Sequence, residues 1–185
     1  AIISADSRQI YRGFDIGTAK PSVEDRAEVV HYGIDIVDPG QHYSAYQWAR
    51  DAIQWIGAAR AQGLRPIIVG GTGFYIKSLF DPPYDDPPIA DGVPYRPVYR
   101  IVDPGPILRT YIETRVDQML AAGWVEEVNR LMDTVPADAI AWKASGYRMI
   151  RQYVEASSAM SRPGHQGGTS LAHARERIII ETRQY

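Results

Sequence analysis

The 185-residue chain has no cysteine, only three phenylalanines and four histidines, and no apolar run long enough to cross a bilayer. Without cysteine there is no disulfide, no thiolate metal centre and no thiol nucleophile, a composition that fits the cytosol. His31, His42, His165 and His173 are scattered without ligand spacing, so no metal held by histidines is expected. The lack of a membrane span leads to the expectation of a cytoplasmic protein with no membrane partner. A strong charge of one sign is missing too. The formal net charge is −2, which argues against indiscriminate polyanion binding. That balance hides an asymmetry: Lys143 to Tyr185 carries seven Lys/Arg and three Asp/Glu, against 13 and 19 in the remainder. A phosphate-rich partner would therefore be met by the C-terminal part.

What the chain does contain, 45% hydrophobic residues over this length, is enough for one good core. Its opening stretch, Ile2-Ile3-Ser4-Ala5-Asp6-Ser7-Arg8-Gln9, is an apolar run that breaks into polar residues. This reads as a buried strand delivering side chains at its C-terminal end, where open α/β sheets place their ligands. Val23 to Val30 reads as a short helix, and Tyr32 to Val37 alternates apolar and polar residues before the Asp38-Pro39-Gly40 turn. Ser44 has the character of an N-cap, with a helix through Gln62 and Gly63 as its stop. The apolar positions of that helix, Trp48 and Trp55 among them, fall mostly on one side and are assigned to the core.

Pro66-Ile67-Ile68-Val69 is a second apolar strand running into Gly70-Gly71-Thr72-Gly73 and a helix from Phe74 to Leu79. Strand, glycine-rich turn and helix can present backbone N–H groups to an anion, although a tight turn explains the glycines about as well. From Asp81 to Pro97 prolines crowd among Asp, Gly and Tyr, which marks a linker, a lid or the place of a missing segment. Residues 97–102 are expected to resume as a strand. Helices follow at about 107–122, 124–132, 145–155 and from 170, with a Ser/Gly-rich, mobile stretch expected at 157–169. Alternating strands and helices predict an α/β fold, a three-layer parallel sheet with flanking helices, organised as a single core of residues 1–80 and 97–185 around a linker at 81–96.

Taken in order, Ser4 to Gly13, Asp15-Ile16-Gly17-Thr18-Ala19-Lys20-Pro21, Asp35-Ile36-Val37-Asp38-Pro39 with Tyr43-Ser44-Ala45, and Val69-Gly70-Gly71-Thr72-Gly73-Phe74-Tyr75 resemble the tRNA dimethylallyltransferases, the isopentenyltransferases of tRNA. Arg115 to Leu120 ahead of Gly123, Gly146-Tyr147-Arg148 and Thr182-Arg183-Gln184-Tyr185 continue the pattern, so the resemblance covers most of the chain. It implies a P-loop NTPase/kinase-like core and transfer of a dimethylallyl group from its diphosphate to the exocyclic amine of the adenosine beside the tRNA anticodon, with Mg²⁺ assisting departure of diphosphate. The implied partners are the tRNA anticodon stem-loop and dimethylallyl diphosphate, and a monomer is the default.

The resemblance also assigns roles. Asp6 matches the general base, against a plain reading in which it only caps the following turn. Ser7, Arg8 and Gln9 match the segment that holds the flipped-out nucleotide, where Ser and Gln can read a base edge and Arg can stack or hold a phosphate. Thr72 matches the residue at the junction of amine and diphosphate, with Gly71 and Gly73 beside the diphosphate. Arg115 matches the arginine facing the diphosphate; a surface ion pair is its plain alternative. Lys143, Ala144, Ser145, Gly146, Tyr147 and Arg148 match a second tRNA-contacting segment, where glycine allows close backbone approach and Lys and Arg meet phosphate. Thr18 and Lys20 are expected near the site without a sharper role.

Two parts of the family pattern have no counterpart in these residues. One is the glycine-rich phosphate loop with its Gly-Lys-Ser/Thr signature, expected upstream of Asp6 and expected to supply the main Mg²⁺ ligand. The other is a helical insertion gripping the anticodon arm, at whose place the proline-rich stretch stands. Rival readings are a small-molecule kinase of the same architecture, with Asp6 deprotonating a hydroxyl, and a non-catalytic tRNA-binding relic.

Overall fold

Ile2–Ser4 forms the central strand β1 of a three-stranded parallel sheet, flanked by β2 (His31–Tyr32) and β3 (Ile67–Val69). Ile2 pairs with His31 on one side and with Ile67 on the other, which fixes both registers. The computed structural model describes residues 1–80, 98–160 and 170–182. The linker expected at 81–96, the 161–169 part of the stretch expected to be mobile, and Arg183-Gln184-Tyr185 lie outside the described residues. Backbone packing divides the chain into two compact units, Ala1–Arg12 with Lys20–Tyr99 and Gly13–Ala19 with Arg100–Tyr185. Among the described residues no helix is long and apolar enough to cross a membrane.

In the first unit three helices accompany the sheet. Helix α1 (Val23–Glu28) opens on a capping box in which Ser22 and Asp25 satisfy each other's backbone N–H. Helix α2 (Ala45–Ala61) opens on the same device, made by Ser44 and Gln47. It closes with Gly63 at φ +72, where Gly63 N–H meets Arg60 O and Leu64 N–H meets Ala59 O. These are the paired bonds of a Schellman stop. Its buried residues, Trp48, Ala49, Ala52, Ile56 and Ala59, form the stripe that packs on α3 (Gly73–Phe80) and on β1. Trp48 is fully buried, stacks on Tyr75 at 5.0 Å and donates from Nε1 to Ser4 O at 2.9 Å. Trp55 is half-buried against Tyr32, so both tryptophans are packing residues, as their helix positions implied.

The alternating stretch after β2 does not continue as a strand. Gly33, at φ +79, brings its backbone so close to β1 that a Cβ there would lie 2.8 Å from Ser4 O. The chain turns away at that point and returns at Val37, which bridges to Tyr11. Residues 98–102 do not form the expected strand either. They are irregular, with Val98, Ile101 and Val102 exposed, because β-branched composition makes a strand only where a neighbour offers a ladder.

The second unit is helical: α4 (Leu108–Ala121), α5 (Trp124–Thr134), α6 (Tyr147–Met160) and α7 (Leu171–Thr182), with 3-10 turns at Gly105–Ile107 and Ile140–Lys143. Helix α6 runs through Ser157 and Ser158, so the first part of the stretch expected to be mobile is helical. The Gly13–Ala19 loop is held in this unit by one carboxylate. Glu127, 4% exposed, accepts the N–H groups of Asp15 (3.2 Å) and Ile16 (2.8 Å) on Oε2 and the Tyr147 hydroxyl (2.6 Å) on Oε1. Tyr147 in turn accepts Gly17 N–H at 3.1 Å. Burial, reinforced by Glu127, pushes the Tyr147 phenol well above its ordinary range, so it remains a donor. Phe14 packs edge-on against Trp142 at 5.1 Å and beside Tyr147 at 4.8 Å. Trp124 fills the space left by two glycines: a Cβ on Gly17 would lie 2.3 Å from its ring, and one on Gly146 2.2 Å. Its Nε1 lies on the Gly17 side and is buried with no hydrogen-bond partner among the described residues.

Two substitutions test this unit. Gly17→Ala forces a methyl group into the indole and is expected to cost at least ~1–3 kcal/mol in a urea melt. Tyr147→Phe strands both Glu127 Oε1 and Gly17 N–H, and about 2–4 kcal/mol is expected from two unsatisfied buried groups.

Candidate functional site

The polar cluster predicted at the end of β1 is assembled by backbone bonds. Ala5 N–H donates to Val69 O at 2.7 Å and Ala5 O accepts from Thr72 N–H at 3.0 Å, so the exits of β1 and β3 run side by side. Gly70 permits this, since a Cβ there would lie 2.4 Å from Ala5 O. A Cβ at Gly71 or Gly73 would meet nothing within 4 Å among the described residues. The tight approach therefore accounts for the first glycine of the turn and not for the other two.

Asp6, Ser7, Arg8 and Gln9 follow, all half-buried. Asp6 Oδ1 accepts Arg8 N–H at 2.7 Å, which is the turn-capping role, and its second oxygen has no hydrogen bond among the described residues. Thr72 Oγ1 accepts Ser7 N–H at 3.0 Å and lies 3.3 Å from Ser7 Oγ, fixing Ser7 beside the glycine-rich turn. Gln9 Oε1 accepts the Ser4 hydroxyl at 2.9 Å. Tyr75 is buried against Trp48; burial raises its phenol, and Tyr11 and Asp6 raise it further, so it is neutral at physiological pH. The structure thus brings Asp6, Ser7, Arg8, Gln9, Gly71, Thr72 and Gly73 together in the first unit.

Arg115 and the 143–148 segment belong to the second unit. Arg115 is exposed on α4 and makes no ion pair among the described residues. In the other segment Lys143 and Arg148 are exposed, Ser145 is half-buried with its hydroxyl 3.3 Å from that of Thr182, and Ala144, Gly146 and Tyr147 are buried. Gly146 has an internal reason to be glycine, at φ +82 against Trp124, beyond any approach by nucleic acid. A cleft of about 480 Å³ opens beside Lys143 and Arg148. Arg148 faces Glu181 there at 3.4 Å, while Arg151 bonds Glu155 at 2.9 Å and lies 4.9 Å over the Trp142 ring.

Sequence reasoning missed two charged groupings. Glu127 was legible in principle, because with Trp124, Val128 and Leu131 it occupies the buried stripe of α5, and an acid on such a stripe is a signal. The second is the triad of Lys20, Asp35 and Arg26. Lys20 Nζ reaches Asp35 Oδ1 and Arg26 Nη1 reaches Asp35 Oδ2 at 2.7 Å, and nothing in their spacing announces it. Thr18, also of open role, donates its hydroxyl to Phe14 O at 2.6 Å within its own loop.

An α/β protein with a carboxylate and a glycine-rich turn at the carboxyl ends of adjacent parallel strands is one that binds its ligand there. The comparisons make the class specific. The family model described as IPP transferase matches residues 9–91 and 85–185, and the chain belongs to that family. A tRNA dimethylallyltransferase of Thermomicrobium roseum is 31% identical over 249 positions that take in all of this chain and 72% of the relative. One of Verminephrobacter eiseniae is 43% identical over 78% of the chain and 42% of its own length. Among solved structures, a tRNA delta(2)-isopentenylpyrophosphate transferase of Staphylococcus epidermidis superposes with a TM-score of 0.75 at 24% identity, over 100% of this chain and 78% of that one. The chain has that fold.

The Asp35 triad carries a pH dependence. Burial alone would raise the Asp35 carboxyl, but the hydrogen bonds and charges of Lys20 and Arg26 outweigh it and hold it below the ordinary carboxylate range. A depressed folded value means the stabilisation is complete above the unfolded pKa of ~3.9 and is lost as pH falls through the folded value. The stability gap between wild type and Asp35→Asn, followed by urea melts, is expected to be constant from pH 7 to about 5 and to close below about pH 4.

Proposed function

We propose that this chain acts in the transfer of a dimethylallyl group from dimethylallyl diphosphate to tRNA, at the exocyclic N6 amine of the adenosine 3′ to the anticodon. The carrying observation is Asp6: one carboxylate oxygen is held by Arg8 N–H and the other has no hydrogen bond among the described residues, in the same strand-end cluster as Thr72 and two glycines whose Cβ positions meet none of those residues. Family membership and the tRNA dimethylallyltransferase names of its relatives supply the reaction.

An adenine amine is a weak nucleophile because its lone pair is delocalised into the ring. It becomes strongly acidic as the new bond forms, so a positioned carboxylate of ordinary basicity is a sufficient base. The N6 lone pair attacks the allylic carbon, the carbon–oxygen bond breaks toward the diphosphate, and the N6 proton passes to the open oxygen of Asp6. Ser7, Arg8 and Gln9 hold the extruded base and its neighbours. Thr72, by fixing Ser7, sets their distance from the reacting carbon. Gly71 and Gly73 face the diphosphate; the roles of Arg115 at the diphosphate and of Lys143 to Arg148 at the tRNA rest on the family pattern. Mg²⁺ belongs with the diphosphate in this reading. Among the described residues no group of three acidic or histidine side chains converges, so no residue here is assigned as a Mg²⁺ ligand and every step above is carried by side chains of the chain.

The 249 aligned positions against 185 residues, and two family-model matches that meet at 85–91, support reading 81–96 as the place of an insertion in relatives. The same reading places the protein in the cytoplasm as a monomer.

The test is incubation of the intact protein with labelled dimethylallyl diphosphate and unmodified tRNA. Label is expected on the tRNA, and Asp6→Asn is expected to lower kcat by roughly 10²–10⁴-fold while tRNA is still retained. Transfer that survives Asp6→Asn at the wild-type rate, or ATP turnover on a small acceptor without tRNA, overturns the reading.

A further inference from the structure

Lysines ordinarily keep their ammonium group in water. Lys20 does not: its side chain is 1% exposed. Its Nζ donates to Tyr11 O and to Asp35 Oδ1, both at 2.5 Å. Arg26 serves the other oxygen of Asp35, and Lys20 carries the Tyr11 carbonyl. Asp35 stands at φ +56, a backbone conformation uncommon for a residue with a side chain, and from it donates its N–H to Gln9 O at 3.1 Å. Val37 N–H donates to Ile10 O at 3.0 Å. Three successive carbonyls, those of Gln9, Ile10 and Tyr11, are thus taken by the Asp35 amide, the Val37 amide and the Lys20 ammonium. They immediately follow Ser7 and Arg8.

From this geometry we propose that Lys20 is a positioning residue for the RNA substrate: with Asp35 it clamps the Gln9–Tyr11 backbone and so sets the direction in which Ser7, Arg8 and Gln9 meet the flipped-out nucleotide. The inference rests on the tRNA-binding reading of those three residues. The obvious rival for a lysine in an RNA-binding protein is a direct phosphate contact. Burial argues against it, since an ammonium on a side chain 1% exposed that already donates to protein acceptors cannot meet a solvated backbone. The two roles also differ in salt dependence: removing a phosphate contact lowers the slope of log K against log[salt] by about one, whereas misaligning a clasp weakens binding without changing the slope.

The experiment uses the intact protein with Lys20→Met, which keeps the volume and removes the donor, and Asp35→Asn as a second variant should Lys20→Met not fold. Amide hydrogen exchange is read at Asp35 and Val37, with Ala5 in the β1–β3 ladder as the internal reference, and binding of an unmodified anticodon stem-loop is measured across a salt series. Exchange at Asp35 and Val37 is expected to quicken at least about tenfold with Ala5 unchanged. Stem-loop affinity is expected to fall about tenfold with an unchanged salt slope. Unchanged exchange at the two amides, acceleration that includes Ala5 equally, unaltered affinity, or a slope reduced by about one would each overturn the proposal. Wild-type protein that does not retain the stem-loop sinks the tRNA reading instead, and the exchange measurement then still decides whether Lys20 fixes the loop.

Discussion

The contact on which the first unit's site depends is the approach of Gly70 to Ala5. Two hydrogen bonds from the Ala5 backbone, to Val69 O and from Thr72 N–H, join the ends of β1 and β3 at a separation no side chain at position 70 could tolerate. This join brings Thr72 and Ser7 beside Asp6. Thr72 can reach Ser7 because the two strand ends are in register, and Asp6 stands between them as the first residue free of the ladder. A methyl group at Gly70 would push the strands apart where the chemistry needs them together.

Buried polar groups do a related task in each unit, and in each case they hold backbone as well as another side chain. Glu127 takes two amides of the Gly13–Ala19 loop, and Lys20 takes the carbonyl of Tyr11. A helix or sheet satisfies its own amides and carbonyls, whereas an irregular segment inside a packed unit has to find partners elsewhere. A charged side chain reaching in from a neighbouring element supplies them, and removal of either charge leaves several orphaned groups. Apolar packing then becomes exact around these anchors: Trp124 is seated between Gly17 and Gly146, the first in the loop that Glu127 holds and the second next to the Tyr147 that Glu127 also holds.

Much of this was legible in the sequence, and what was not has a physical reason. The caps Ser22 and Ser44, the stop at Gly63, the strands at 2–4 and 67–69 and the grouping of Asp6 to Gln9 with Gly71 to Gly73 are local or motif-borne, so the order of residues carries them. The strand expected at 97–102 failed because pairing is a property of neighbours, which no local propensity contains. The stretch at 32–37 alternates correctly but is broken by Gly33 and Asp35, whose positive φ values are imposed by β1 and by the clamp on Gln9. Glycines in the motifs were hardest to interpret. Gly70 and Gly146 answer to internal crowding and Gly71 and Gly73 do not, a distinction that only coordinates draw.

A similar distinction applies at Asp6. A capping carboxylate and a catalytic base are alternatives only if the group is treated as a single point. A carboxylate has two oxygens, and here the cap uses one. The bond from Arg8 N–H stops rotation about the side chain and leaves Oδ2 aimed in one direction, which is what proton transfer to a positioned base requires. The bond also ties the proposed base to the residue proposed to hold the substrate, because the amide that fixes Asp6 belongs to Arg8. A shift of the Ser7–Gln9 segment would therefore move Asp6 with it, so under the proposed function the alignment of base to adenine would survive small motions of the loop.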